Sequence, residues 1–383
     1  MKTYSEKIMR WLDEIELFYA DESSEQAIRL GLTMSFYFRY GGSYEKKLKV
    51  VECFDRFYSD YGRFLKKNYY SDFINLTDKN YAKTRQEFID LPDCGQYEWL
   101  LTSTNETYIS EEYSIFTLIP RAFSEAFDRS ILVVNLPWHF ISSDAGLERF
   151  KALFYWLCQQ LDVDNGYAGL SPILPYDDEH RLFPDEYQLA KKFSGLNIET
   201  TTILTGGREY ADEIKGANWI VALSPRYVKR LGGESWIRNY FKLDREITVT
   251  KVGDTLVMQA GEYPELGEVN TDGPPVNYIR LNSLLRPIRI KKPDQLHYYS
   301  EYKDLQFEKE STERWFARFD DGPLIVTPLR AGYPALVSGF WSTPSKPSSQ
   351  VFIAQGEFAM DVPGQEPGTT LWHLEREAAS IAE

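Results

Sequence analysis

From residue 28 to residue 40, apolar side chains alternate almost without interruption with small or polar ones. Ile28, Leu30, Leu32, Met34, Phe36, Phe38 and Tyr40 fall on one side of an extended chain, and Arg29, Gly31, Thr33, Ser35, Tyr37 and Arg39 on the other. Period two predicts a half-buried strand. Gly41-Gly42 breaks it, Ser43 is placed to cap a helix, and Leu48, Val51, Phe54, Tyr58, Tyr61 and Leu65 then recur at helical spacing. The unit is strand, turn, amphipathic helix.

The same order returns further along. An apolar run over 131–140 meets a polar break at Ser142-Ser143-Asp144, after which Leu147, Phe150, Phe154, Leu157 and Leu161 share one helical face, with Gly166 expected to end the helix. Further strands are expected over 98–103, 114–119, 219–223, 247–251 and 255–259, the last two joined by a tight turn at Gly253-Asp254. A Gly/Pro/acid loop fills 264–275. The pattern predicts an α+β fold of two related halves, helices packed on mostly antiparallel sheets, with a loop-rich C-terminal region. The expected boundaries are 1–125 and 126–290 for the halves, and 291–383 for a region packed on the second half.

Length and composition fit this size of fold. The chain has 383 residues, of which 43% are hydrophobic, enough for a large core. Asp and Glu outnumber Lys and Arg by 57 to 43, a formal charge of -14, which repels phosphate backbones and attracts basic partners. Many acidic proteins owe such a charge to solubility alone. The three cysteines, Cys53, Cys94 and Cys158, are widely spaced, so a reducing compartment is expected. A polar N-terminus and the lack of any long apolar run point to the cytoplasm, with no membrane partner.

Catalytic signatures are few. His139, His180, His297 and His373 stand far apart, with no His-Glu-x-x-His helix and no cysteine pair, so neither metal nor other cofactor is expected. No Gly-x-Ser-x-Gly elbow, phosphate loop or dinucleotide fingerprint occurs; Gly206-Gly207 and Gly232-Gly233 read as turns. Pro293-Asp294 followed by Glu301-Tyr302-Lys303 imitates the two carboxylates and lysine of metal-dependent, restriction-endonuclease-like nucleases. The gap between the two parts leaves little room for the hairpin such a site needs. His139, beside Trp138, reads as a hydrogen-bonded residue at a strand end, and Trp156 beside Cys158 as core packing.

The C-terminal segment combines prolines at 344, 347, 363 and 367 with the aromatic anchors Phe340, Trp341, Phe352 and Trp372. Such a segment is ordered by docking. Its Ser338-Gly339-Phe340-Trp341-Ser342-Thr343-Pro344, Gln355-Gly356-Glu357 and Gly368-Thr369-Thr370-Leu371-Trp372 resemble the tail of the bacterial type VI immunity family. So do Gly166-Tyr167-Ala168-Gly169-Leu170-Ser171-Pro172, Trp219-Ile220-Val221-Ala222-Leu223-Ser224 and Val228-Lys229-Arg230-Leu231-Gly232-Gly233. Residues 333–337 hold no cysteine where the family often has one, so no thiol role is expected there. The resemblance implies a cytosolic, non-enzymatic antitoxin that binds one cognate secreted toxin, in several members a nuclease, and itself takes no nucleic acid. Gly339, Trp341, Gly356, Glu357 and Trp372 then read as architectural.

On that implication the acidic clusters become candidate toxin contacts. Asp177-Asp178-Glu179, between Pro175 and Pro184 and beside Tyr176, should project from an exposed loop; its carboxylates could face the toxin's phosphate-binding groove, occluding the active site. The bland alternative is a solvated loop. Asp212-Glu213 and Glu111-Glu112 are weaker candidates, and Asp320-Asp321-Gly322 reads as a turn between strands. Two other classes stay open: the metal-dependent nuclease, and a secretion adaptor that binds toxin without inhibiting it.

Overall fold

The computed structural model describes residues 3–20, 25–92, 95–120, 129–177, 179–198, 212–297, 302, 304–322 and 326–378. Thr3 caps α1 (Tyr4–Met9): its hydroxyl accepts from the Glu6 N–H while the Glu6 carboxylate accepts from the Thr3 N–H, which satisfies two donors that a helix start leaves orphaned. Helix α2 (Leu12–Ile15) and strand β1 (Leu17–Phe18) lead to β2 (Gln26–Phe38). β2 carries the alternation seen in the sequence, yet every residue except Arg29 is buried, so it is covered on both faces rather than one. Its apolar row meets helices, Phe36 lying 5.0 Å from Phe154 between ring centroids. Its small and polar row is covered as well: Tyr37 packs edge-on against Tyr167, whose hydroxyl accepts from the Lys215 N–H at 2.8 Å and so ties a later segment across that face.

Tyr40, at φ 60°, turns the chain out of β2, and the Ser43 hydroxyl accepts from the Lys46 N–H to start α3 (Tyr44–Tyr61). The α3 residues Val50, Val51, Phe54 and Phe57 are buried. β3 (Lys67–Tyr69), β4 (Phe73–Asn75), α4 (Asp78–Asp90), β5 (Tyr97–Thr102) and β6 (Ser114–Ile119) follow. Phe54 stacks on Trp99 of β5 with ring centroids 3.9 Å apart and planes 11° off parallel. Burying an aromatic of this size stabilises by roughly 1.5–3 kcal/mol, so this pair adds to Val50, Val51 and Phe57 in holding α3 against the sheet.

The second unit is β7 (Ser130–Pro137), a 3-10 turn over Trp138–Ile141 that carries an exposed His139, and α5 (Asp144–Leu161), capped by Ser143. The helix ends not at Gly166 but on Asp162, in the left-handed region at φ 47°. Lys46 and Lys49 hold the Asp162 carboxylate at 3.2 and 2.5 Å, which offsets the strain of that conformation for a residue with a Cβ. Gly166 instead lies inside β8 (Asn165–Ile173), paired with Phe36.

The chain continues through α6 (Phe183–Lys192), β9 (Ile220–Leu223), α7 (Pro225–Arg230), α8 (Glu234–Tyr240), β10 (Ile247–Val252), β11 (Thr255–Ala260), α9 (Val276–Leu285) and α10 (Lys309–Phe316). Ten of the strands line up as β10-β11-β9-β8-β2-β7-β6-β5-β3-β4, and β1 adds to β2 to complete an 11-stranded sheet. Every strand pairing in it is antiparallel. The fold is α+β. The two strand–turn–helix units meet at its centre, β2 against β7 from Gly31↔Pro137 to Phe38↔Ser130; outward from this pair the order of strands differs on the two sides.

The C-terminal region is more regular than its prolines suggest. β12 (Leu329–Arg330), β13 (Gly339–Thr343), β14 (Lys346–Ile353) and β15 (Leu371–Glu377) form a second sheet in the order β12-β15-β13-β14. It has its own core, which includes Leu329, Val337, Trp341, Ile353 and Trp372. Arg286 to Glu377 at 3.1 Å and Lys291 to Gln355 at 2.9 Å tie it to the main body.

Candidate functional site

Register builds a polar row across the middle of the large sheet. Thr33 of β2 stands opposite Asn135 of β7, which stands opposite Ser114 of β6. Residues directly opposite in an antiparallel pair point to the same face, so the three side chains meet. Thr33 Oγ1 donates to Asn135 Oδ1 at 2.8 Å, Asn135 Nδ2 to Ser114 Oγ at 3.0 Å, and Ser114 Oγ to Glu111 Oε1 at 3.1 Å. The row therefore ends on a carboxylate.

Glu111 is held in place by its neighbour. The Ser110 N–H donates to the Gln26 carbonyl at 3.0 Å and its hydroxyl to the Ile173 carbonyl at 2.6 Å, pinning the loop between β5 and β6 to the ends of β2 and β8. The Glu111 side chain is 8% exposed, and its Oε2 has no hydrogen-bond partner among the described residues. Burial pushes its pKa up to about 7; hydrogen bonding to its own backbone, to Ser114 and to Asn135, and the charge of Arg29, oppose a larger rise.

Glu111, Asn135, Thr33 and Ser171 line an open cleft of about 730 Å³, counting its mouth. Phe116 and Val133 form apolar wall, and Tyr176, Glu179 and Glu186 complete the lining. Glu186 is fixed from behind: His297 Nδ1 accepts from the Phe307 N–H at 3.0 Å, so the ring proton sits on Nε2 and donates to Glu186 Oε2 at 2.7 Å. Phe183 stacks flat on that imidazole, 4.0 Å away and 5° from parallel.

The acidic loop predicted from sequence lies at this cleft. Tyr176 is half-buried; its hydroxyl donates to Glu98 at 2.6 Å and its ring lies beside Tyr69 and Phe116. Burial, and then the Glu98 carboxylate, hold that hydroxyl far above the ordinary tyrosine pKa. Asp177 is exposed, its N–H donating to the Thr107 carbonyl at 3.2 Å, and Glu179 opens a one-turn 3-10 helix. Asp178 lies outside the described residues.

Asp212 and Glu213 belong to a different place. Asp212 accepts from Arg226 at 2.9 Å, and Arg226 also grips Asp164 at 2.5 Å, beside Arg129 at 2.9 Å. The Tyr227 hydroxyl donates to the Glu213 carbonyl at 3.0 Å, and burial raises the Glu213 carboxyl pKa. Asp164 directly precedes β8 and Tyr176 follows its end; at about 3.3 Å per residue the strand separates the two clusters by about 30 Å.

Other candidates resolve differently. Asp320 does not turn between strands: it follows α10 and binds Arg289 in bidentate fashion, with Asn282 donating to it at 2.9 Å. Glu301 and Lys303 of the nuclease-like pattern, and Cys94, lie outside the described residues. Among the described residues, no group of three or more His, Cys, Asp or Glu could hold a metal ion. In the C-terminal sheet, Trp341 is 1% exposed and Trp372 Nε1 donates to the Met360 carbonyl at 2.8 Å. A Cβ on Gly339 would sit 2.6 Å from the Arg376 carbonyl oxygen. Gly356 has φ 82° and Glu357 accepts from the Ala354 N–H at 2.9 Å.

A family model described as TsiV, type VI immunity for VRR-NUC, matches residues 49–319. The chain belongs to this family. The matched span takes in Glu111, Asn135, Ser171, Tyr176 and Glu186 of the cleft, and the stretches at 166–172 and 219–233 that carry the resemblance. It ends before the proline-spaced tail, which carries the rest. One solved structure similar to this family member is the Pseudomonas aeruginosa T6SS protein PA0821, at 21% identity and TM-score 0.70, covering 82% of this chain and 91% of that chain. At that identity the likeness establishes the fold. No curated protein matches, and among the described residues no helix is long and apolar enough to cross a membrane.

Proposed function

We propose that this TsiV-family member acts in the cytoplasm as the immunity protein for one type VI secreted VRR-NUC toxin, binding the nuclease and blocking its active site without any catalysis of its own. The observation that carries this reading is the cleft lined by Glu111, Tyr176, Glu179 and Glu186, with the exposed Asp177 next to Tyr176 in the chain, in a protein of formal charge -14. A nuclease groove that accepts a phosphate backbone is basic, so a carboxylate rim complements it and steers encounter. The Tyr176 end of β8 is favoured over the Asp212 end because Arg226 already engages Asp212, whereas the exposed Asp177 makes no ion pair among the described residues. Gly339, Trp341, Gly356, Glu357 and Trp372 serve the C-terminal sheet, and the toxin docks elsewhere.

The test mixes the purified protein with a VRR-NUC toxin from the same genome and follows DNA cleavage and complex mass together. Stoichiometric inhibition in a stable complex with both chains covalently unchanged is expected. Full nuclease activity at saturating protein would sink the reading, and a complex that leaves cleavage intact would mark the protein as an adaptor. Association should slow as salt rises, and D177N/E179Q should flatten that dependence.

A further inference from the structure

We propose that the Glu111 cleft receives a single basic side chain, arginine or lysine, from the bound toxin. This rests on the immunity reading and adds to it the chemistry of one contact. The hydrogen-bond arrangement leaves one acceptor unused. Thr33 and Ser114 each commit their only hydroxyl proton along the row, and Asn135 Nδ2 directs its donors to Ser114 at 3.0 Å and to Glu111 Oε1 at 3.5 Å. Oε2 of the same carboxylate accepts no hydrogen bond from the described residues. A buried carboxylate oxygen without a protein donor is costly, so a donor that reaches it is favoured.

A cation suits this position: the group to be met is a carboxylate, and the lining holds two further acids, Glu179 and Glu186, and no Lys or Arg. Arg29 of β2 is the basic group whose field reaches Glu111, and its own Nε also has no partner among the described residues. Phe116, Val133 and Ile173 offer apolar wall to a methylene stem whose charged head lies at Glu111, the way lysine and arginine bury their chains. Since burial already raises the Glu111 pKa to about 7, an arriving cation would also favour release of its proton near neutral pH.

The experiment has two arms. In the first, full-length protein is titrated with N-acetyl-arginine amide and with its neutral isostere N-acetyl-citrulline amide, following the side-chain amide resonance of Asn135 by NMR. The arginine probe is expected to shift that resonance in wild type and not in E111Q, and the citrulline probe in neither; equal shifts from both probes, or shifts unchanged in E111Q, overturn the proposal. In the second arm, affinity for the same VRR-NUC toxin is measured for wild type and E111Q, with a loss of at least tenfold expected. Unchanged affinity overturns the toxin contact and leaves the immunity reading standing. If wild type forms no complex, the immunity reading fails, and the first arm still judges the cleft as a site for a cationic side chain.

Discussion

Replacing Glu111 with glutamine should make the free protein more stable, and only at neutral to alkaline pH. The wild-type carboxyl is shifted from 4.5 to about 7 by burial. Between those values the folded chain holds a proton that the unfolded chain releases, so stability falls as pH rises through the window and the loss is complete above it. At about 1.36 kcal/mol per pKa unit, the penalty at pH 8 is about 3 kcal/mol. Glutamine cannot ionise, and its amide oxygen can still accept from Ser114 and Asn135 as Oε1 does now. E111Q should therefore exceed wild type by about 3 kcal/mol at pH 8, which for a chain of this length is about 4 °C in Tm if it unfolds as one unit, and should match it at pH 4. Urea denaturation at pH 4, 6 and 8, read by tryptophan fluorescence, measures both. A gap of equal size at pH 4 and pH 8, or no gain at pH 8, would refute the claim that an uncompensated buried carboxylate sets this part of the stability. A positive result would show stability given up at a position kept ready for a partner.

Asp164 and Arg129 are each 6% exposed and Arg226 engages the same carboxylate, so D164N removes the charge that both guanidiniums share and should lose about 3–5 kcal/mol in urea; a loss below about 1 kcal/mol would mean the remaining partners suffice. Trp341 fills the core of the C-terminal sheet, so W341A should cost about 3–5 kcal/mol there. Hydrogen exchange should then accelerate over 329–377 and stay unchanged over 26–260; acceleration throughout would show that the two cores unfold together.

Several elements were legible in the sequence because their periodicity is strong. The alternation in 28–40 marked β2, the helical recurrence from Leu48 to Tyr61 marked α3, and both returned for β7 and α5. Gly166 misled because glycine commonly ends a helix, whereas here Asp162 takes the left-handed position with two lysines on its carboxylate, a pairing that only folding brings about. The sheet at 329–377 was obscured because prolines next to short strands read as loop. In the cleft, Tyr176 and Glu179 were visible as an acidic aromatic loop, while Glu111 looked like one of several minor acidic pairs. The one local hint was Asn135, a polar residue inside the apolar run of β7.

The sequence by itself determined the strand-then-helix order of the two central units, the acidic balance and the family resemblance, since all three reside in residue order and composition. Tertiary structure alone decided that both faces of β2 are buried, that Asp212 and Asp177 lie at opposite ends of β8, and that Glu111 is the end of a hydrogen-bonded row. The reason is register. Thr33, Asn135 and Ser114 are far apart along the chain and become neighbours only when three antiparallel strands align them on one face. The unfilled oxygen of Glu111 exists only once that alignment has assigned the neighbouring donors to other acceptors.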